Sequence, residues 1–299
     1  MMGDSGNGEV IEGSVEANGL RFGYLQAGES GPLALCLHGF PDSARTWRYL
    51  LPALADAGYR AVAPWLRGYA PTQVPDIPHY DVGTLALDAN AMHEALGGNG
   101  DAVLIGHDWG AIVGYTAVHA TPARWRRLVT MAVPPPGAVA AGFLTYDQLQ
   151  RSWYMFFFQH PLSDIAVAMG DLAFIDRLWA DWSPGYNAVD DLPGVKDAMR
   201  DPGNLAAALG YYRAMLGDRG VSDDPAAVGL RGAANNAPPL PTLYLHGKID
   251  GCLGADLVGM APSFLTYEGS RSEIVDDAGH FLHVERPDEV NRLVLDFIA

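Results

Sequence analysis

Asp108 is flanked two places on either side by glycine, in Gly106-His107-Asp108-Trp109-Gly110. The apolar run Ala102 to Ile105 precedes this segment, and helix-like sequence from Ala111 to Ala120 follows it. The spacing fits a sharp strand-to-helix elbow. Glycines remove Cβ atoms from the crowded bend, and the central side chain is presented at a helix N-terminus. Serine is the usual occupant, and no G-x-S-x-G pattern competes elsewhere in the chain. An aspartate here reads either as a helix cap or as a nucleophile. Chain order favours the nucleophile, since in such folds an acid and then a histidine follow it. Asp250 lies just after the apolar run Thr242 to His246, and His280 follows Ser272 to Val275 in Asp277-Ala278-Gly279-His280. Both fall at strand C-terminal ends, where open α/β sheets build their sites. The bland alternatives are a turn residue for Asp250 and a core histidine for His280. His283 is a weaker rival base, because it belongs to the segment leading into the last helix.

The residue types fix the chemistry further. A carboxylate, with a reference pKa of about 3.9, is ionised at neutral pH and attacks without a base. Attack on an ester would give an energetic anhydride, whereas attack on an sp³ carbon gives an ordinary alkyl ester. An aspartate in the elbow therefore points to an epoxide or an alkyl halide. The His280–Asp250 pair is then needed in a second step, in which His280 activates water against the ester and Asp250 orients the imidazole.

The elements that must position these residues follow from patterning. Val10 to Glu16 and Leu20 to Gln26 read as strands joined by a hairpin turn at Asn18-Gly19. Leu33 to Leu37, Tyr59 to Ala63, Ala102 to Ile105 and Arg127 to Ala132 read as further strands, two of them short continuous apolar runs of the kind covered on both faces. Ser43 caps an expected helix carrying Trp47, Leu50, Leu51 and Leu54 up to Gly58, and Val82 to Leu96 reads as a second helix. Strands alternating with helices predict a doubly wound, mostly parallel sheet. After Val133-Pro134-Pro135-Pro136 the strand rhythm stops until Thr242. The expected organisation is a core over residues 1–136, a helical lid over 137–240, and the rest of the core over 241–299. Pro287 to Ile298 supplies a closing helix.

Composition narrows the partners. A formal net charge of −16 disfavours nucleic acid and anionic lipid, both of which need Lys and Arg. Two cysteines do not suggest a disulfide framework, and Cys36 lies in an apolar run. The polar, Gly-rich start from Met1 to Glu9 lacks the order of a secretory signal, and no apolar run of about 18 residues follows. The expectation is a cytoplasmic enzyme acting on a small molecule and water, without cofactor, metal or membrane, and with homo-oligomerisation left open.

These pieces together resemble the α/β-hydrolase-fold epoxide hydrolases over nearly the whole length from about residue 10. The carrying segments are His38-Gly39-Phe40-Pro41, the Asp108 elbow, Asp250 and Gly279-His280, with Tyr154 to Gln159 and Tyr211-Tyr212-Arg213 in the lid. The resemblance implies Tyr154, five residues before the glutamine, and Tyr212, directly before the arginine, as proton donors. Tyr211 is the alternative by one register step. It also implies an oxyanion hole from the backbone amides of Phe40 and Trp109, and a substrate pocket including His38, Pro41, Trp109 and Phe157. Losing one such amide commonly costs roughly 3 kcal/mol.

The leaving group separates the two alkyl electrophiles. An opening epoxide develops an alkoxide, whose conjugate acid has a pKa of about 16 like that of water, so it needs a donor such as tyrosine at about 10. Such donors are worth roughly 10²- to 10⁴-fold. Trp109 could serve a halide, as in haloalkane dehalogenases, but those enzymes typically carry Asn where this chain has Phe40. Fluoroacetate dehalogenases typically place Arg after the nucleophile. The two tyrosines favour the epoxide. A binding protein on the same scaffold would have no use for the His–Asp pair.

Overall fold

The computed structural model describes residues 8–299. Eight strands, β1 (Ile11–Ala17), β2 (Leu20–Ala27), β3 (Leu33–Leu37), β4 (Arg60–Pro64), β5 (Ala102–His107), β6 (Trp125–Met131), β7 (Thr242–Gly247) and β8 (Arg271–Val275), form one sheet. Their order is β1-β2-β4-β3-β5-β6-β7-β8. β2 pairs antiparallel with β1 and with β4, and every other pairing is parallel. The hairpin between β1 and β2 turns on Asn18 (φ 45°) and Gly19 (φ 75°), the paired positive φ of a type I′ turn.

β3 and β5 are buried along their whole length, which is why they read as unbroken apolar runs. With about 1.5–3 kcal/mol from each fully buried Leu, Ile or Val, they hold the middle of the sheet. From β3 the chain steps to β4 on one side, and β5 takes the place on the other side. That reversal opens a crevice beyond the C-terminal ends of β3 and β5, where ligands bind in such sheets.

Helices α1 (Leu50–Asp56), α2 (Val82–Ala95) and α3 (Trp109–Ala120) cover the first half of the sheet, and α12 (Pro287–Ile298) packs near α1. α12 buries Val290, Leu293, Val294, Phe297 and Ile298, a stripe at helical spacing. Asp81 caps α2, accepting from the Thr84 amide at 3.3 Å. One expected element divides. Ser43 does act as a cap, accepting from the Arg45 amide, but it opens only a short 3₁₀ turn over Ala44–Arg48. A new helix starts at Leu50 because Pro52 has no N–H for a continuous ladder and is tolerated only within a first turn.

Between β6 and β7 every described element is helical: α4 (Pro136–Gly142), α5 (Tyr146–Arg151), α6 (Trp153–Phe157), α7 (Leu162–Trp182), α8 (Leu192–Asp197), α9 (Pro202–Leu216) and α10 (Pro225–Leu230), with short 3₁₀ turns. α7 is broken at Met169–Leu172, where Gly170, Asp171 and Leu172 all take positive φ. A short helix α11 (Leu282–Glu285) precedes α12. No helix among the described residues is long and apolar enough to cross a membrane. Cys36 and Cys252 are both free and buried.

Candidate active site

Asp108 sits at the elbow between β5 and α3 with φ 50° and ψ −115°, a conformation that costs an ordinary residue about 1–3 kcal/mol. The glycines allow it. A Cβ on Gly106 would lie 2.2 Å from the Gly110 carbonyl oxygen, and one on Gly110 would lie 2.0 Å from that of Leu37. Asp108 heads α3 but makes no side-chain cap bond to it. Its Oδ1 instead accepts the Phe40 amide at 2.8 Å, across the gap between the ends of β5 and β3. Gly39 admits this approach, since a Cβ there would meet the Asp108 Cβ at 2.3 Å.

His280 lies beyond β8 and places Nε2 3.5 Å from the Asp108 Oδ2. Its Nδ1 is 2.9 Å from the Oδ2 of Asp250, which follows β7. Asp250 is itself fixed: its Oδ1 accepts the amides of Cys252 at 2.7 Å and Leu253 at 3.1 Å. Burial would lower the His280 pKa, but the carboxylates of Asp250 and Asp108 outweigh it and raise it to about 10. Burial likewise works against charge on Asp250, yet His280 and His246 hold its carboxyl below the usual range. His280 thus lies between two acidic side chains that both favour its charged form.

One backbone atom ties these loops together. The Trp182 carbonyl, at the end of α7, accepts both the Gly251 amide and the His280 amide at 3.0 Å each. Next to it, the Ser183 hydroxyl donates to Glu285 Oε1 at 2.6 Å and accepts the Phe281 amide at 3.2 Å.

The helical segment supplies the opposite wall. Tyr154 on α6 and Tyr212 on α9 are buried, and their rings meet edge to face with centroids 5.5 Å apart. Gln159 donates to the Tyr212 carbonyl at 2.8 Å, and Arg213 Nε donates to the Phe158 carbonyl at 2.9 Å. The glutamine and arginine beside the two tyrosines therefore fasten α6 to α9. The Tyr154 hydroxyl lies 3.4 Å from the Cys252 sulfur. The Tyr212 hydroxyl is buried beside the Trp109 ring without a formed hydrogen bond. Burial first, and then neighbouring groups that include Cys252 and Asp108, push both phenols well above their ordinary pKa, so both stay protonated. Asp108, Trp109, Tyr154, Tyr212 and Cys252 line one cavity of about 300 Å³, whose remaining wall is apolar, including Ile112, Phe143 and Leu216.

Three expected pocket residues fall elsewhere. His38 is wholly buried and turned into the core, accepting the Leu66 amide at 3.0 Å. Pro41 accepts the Trp179 indole N–H through its carbonyl at 2.7 Å. Phe157 stacks on Phe174 within the helical segment. None of the three lines the cavity, because nearness in sequence to the Phe40 turn or to Tyr154 does not fix where a side chain points. Tyr211 also turns away, donating its hydroxyl to the Arg67 carbonyl at 2.8 Å. His283 packs on Trp47 and His107, and it is His280 that joins Asp250 and Asp108. Trp182 and Cys252 carry no visible signal in the sequence. Trp182 acts through a carbonyl that every residue type possesses, and Cys252 is indistinguishable there from any other buried thiol.

A mostly parallel sheet with this strand order, an elbow after its central strand, and an acid and histidine after its last two strands define an α/β-hydrolase. Residues 32–287 match the family described as alpha/beta hydrolase fold, and the chain belongs to it. Within that family it groups with the epoxide hydrolases. It is 32% identical to epoxide hydrolase 3 of Xenopus tropicalis over 95% of this chain and 76% of that one. It is 30% identical to epoxide hydrolase A of Mycobacterium tuberculosis over 98% of both chains. The crystal structure of epoxide hydrolase A from Mycobacterium thermoresistibile superposes with a TM-score of 0.78 at 29% identity, covering 97% of this chain and 98% of that one.

Proposed function

We propose that this enzyme hydrolyses apolar epoxides to vicinal diols through a covalent ester on Asp108. The observation that carries the reading is a carboxylate and two protonated phenols on the wall of one otherwise apolar cavity. The Phe40 amide holds Oδ1, so Oδ2 is the attacking atom. Attack forms the Oδ2–carbon bond and breaks the ring C–O bond, and Tyr154 and Tyr212 donate to the departing oxygen. His280 needs no free lone pair at this stage, which agrees with its raised pKa. Esterification removes the Asp108 charge and with it part of what holds the His280 proton, which passes to the tyrosinate left by ring opening. The imidazole can then deprotonate the water that attacks Cγ, while Asp250 stabilises the imidazolium that forms. The amide of Phe40, joined in this reading by that of Trp109, receives the tetrahedral oxyanion. The helical segment over 137–240 acts as the lid that carries the phenols, and residues 1–136 and 241–299 as the core that carries the triad.

A single turnover of styrene oxide in ¹⁸O-water tests this. Label should enter the protein at Asp108 and be absent from the first diol formed; label appearing directly in that diol would overturn the covalent step. With His280→Gln, mass spectrometry should find enzyme carrying the added mass of one substrate. Haloalkanes should release no halide, since the Phe40 side chain offers no N–H donor to one.

A further inference from the structure

On the cavity wall, Cys252 is the hydrogen-bonding side chain for which the reaction above has no task. It does not stand alone. Its sulfur is the one hydrogen-bond partner of the Tyr154 hydroxyl among the described residues. The buried, unpartnered Tyr212 hydroxyl belongs to the same cavity wall. The Cys252 backbone is held from both halves of the molecule. Its amide donates to Asp250, and its carbonyl accepts Gln148 Nε2, from α5, at 3.0 Å. Gln148 Oε1 in turn accepts the Gly254 amide at 3.0 Å. The sulfur is thereby fixed relative to the acid of the core and to the helices that carry the phenols.

We propose that Cys252 is a positioning residue for ring opening, holding the Tyr154 hydroxyl in the empty cavity and supporting its oxygen as the proton leaves. This inference rests on the covalent reading. In the empty cavity the sulfur accepts the phenol O–H. When the epoxide binds, that O–H turns to the ring oxygen and the thiol S–H donates to the phenol oxygen. As the ring C–O bond breaks and the Oδ2–carbon bond forms, the Tyr154 proton passes to the alkoxide and the phenolate keeps the S–H bond. No electrons move to or from sulfur. The His280 proton restores Tyr154, and the attacking water later supplies two protons, one back to His280 and one to the departing ester oxygen.

A thiol beside an alkylating substrate would be at risk if it ionised, because the thiolate is the nucleophile. Burial, together with the charges of Asp250 and Asp108, pushes the Cys252 thiol well above its ordinary pKa and keeps it protonated. Tyr212 has no thiol bonded to its oxygen and faces the Trp109 indole instead, so the two phenols enter the reaction differently prepared.

Rapid-quench mass spectrometry with styrene oxide separates the formation of the alkyl-enzyme from its hydrolysis. Cys252→Ala should slow formation about 5- to 20-fold, less than the roughly 10²- to 10⁴-fold of a group that itself transfers the proton, and change hydrolysis less than about two-fold. Cys252→Ser, which keeps a donor and an acceptor, should restore most of the loss. In a Tyr154→Phe background, Cys252→Ala should have no further effect on formation, the signature of two groups acting as one. Formation at the wild-type rate in Cys252→Ala overturns the proposal, and so does an equal slowing of both steps or an undiminished effect in the Tyr154→Phe background. If His280→Gln never accumulates an adduct, it is the covalent reading that fails.

Discussion

The two walls of the cavity are built on opposite principles. On the sheet side, Asp108, Asp250 and His280 project from loops beyond strand ends, and each is held by two or more hydrogen bonds or ion contacts. On the helical side, Tyr154 and Tyr212 are held by ring packing, while their hydroxyls have one weak partner and none. The sheet side fixes charges and the helical side fixes shapes. A charge in a buried site must be paired at all times, since an unpaired one is very costly. A neutral phenol can be left nearly free, at a cost of about 1–3 kcal/mol for the unsatisfied hydroxyl.

Substitutions can test that division, beginning with the largest effect. Asp108→Asn should lower turnover by at least about 10⁴-fold and abolish the protein-bound adduct, as expected when the nucleophile of a mutually dependent set is lost. Tyr154→Phe and Tyr212→Phe should each lower adduct formation by roughly 10²-fold and leave ester hydrolysis unchanged, while the double variant should fall by about 10⁴-fold. Equal effects on both steps would mean that the phenols also serve the sheet side. The pH dependence comes next. His280 has a folded pKa raised from 6.5 to about 10, so its contribution to stability is complete below about pH 6.5 and is lost as pH rises towards 10. Chemical denaturation from pH 6 to 10 should show that decline in the wild type, and a shallower one in His280→Gln. The smallest effect concerns stability alone. Tyr212→Phe removes a buried hydroxyl that bonds to nothing, so its Tm should be unchanged or slightly raised, a gain of about 0–2 kcal/mol. A clear loss would reveal a partner for that hydroxyl.

The same division governs what the sequence makes legible. The sheet side is readable because its parts carry local signatures. β3 and β5 are unbroken apolar runs, Asn18-Gly19 marks a tight hairpin, and glycines two residues either side of Asp108 mark a bend too crowded for side chains. The helical side is less readable from the residues themselves. Tyr154 and Tyr212 stand out through resemblance rather than through any local pattern, and seven helices with a break inside α7 leave only a loss of strand rhythm. The direction of side chains is least accessible. His38 and Phe40 flank one glycine, yet the ring of the first is a core acceptor while the amide of the second holds Asp108.

The Trp182 carbonyl crosses this division. It belongs to the helical segment, yet it holds the loops of both Asp250 and His280. Among interchangeable parts this residue behaves as a shared bolt: unscrewing the helices from the sheet there would release Asp250 and His280 together. Exchange of the helical segment between relatives should therefore be most successful when the transplanted piece stops short of the second half of α7. Diversification of substrate range by that route is expected to concentrate in α4, α6 and α9, which line the cavity without carrying Asp108, Asp250 or His280.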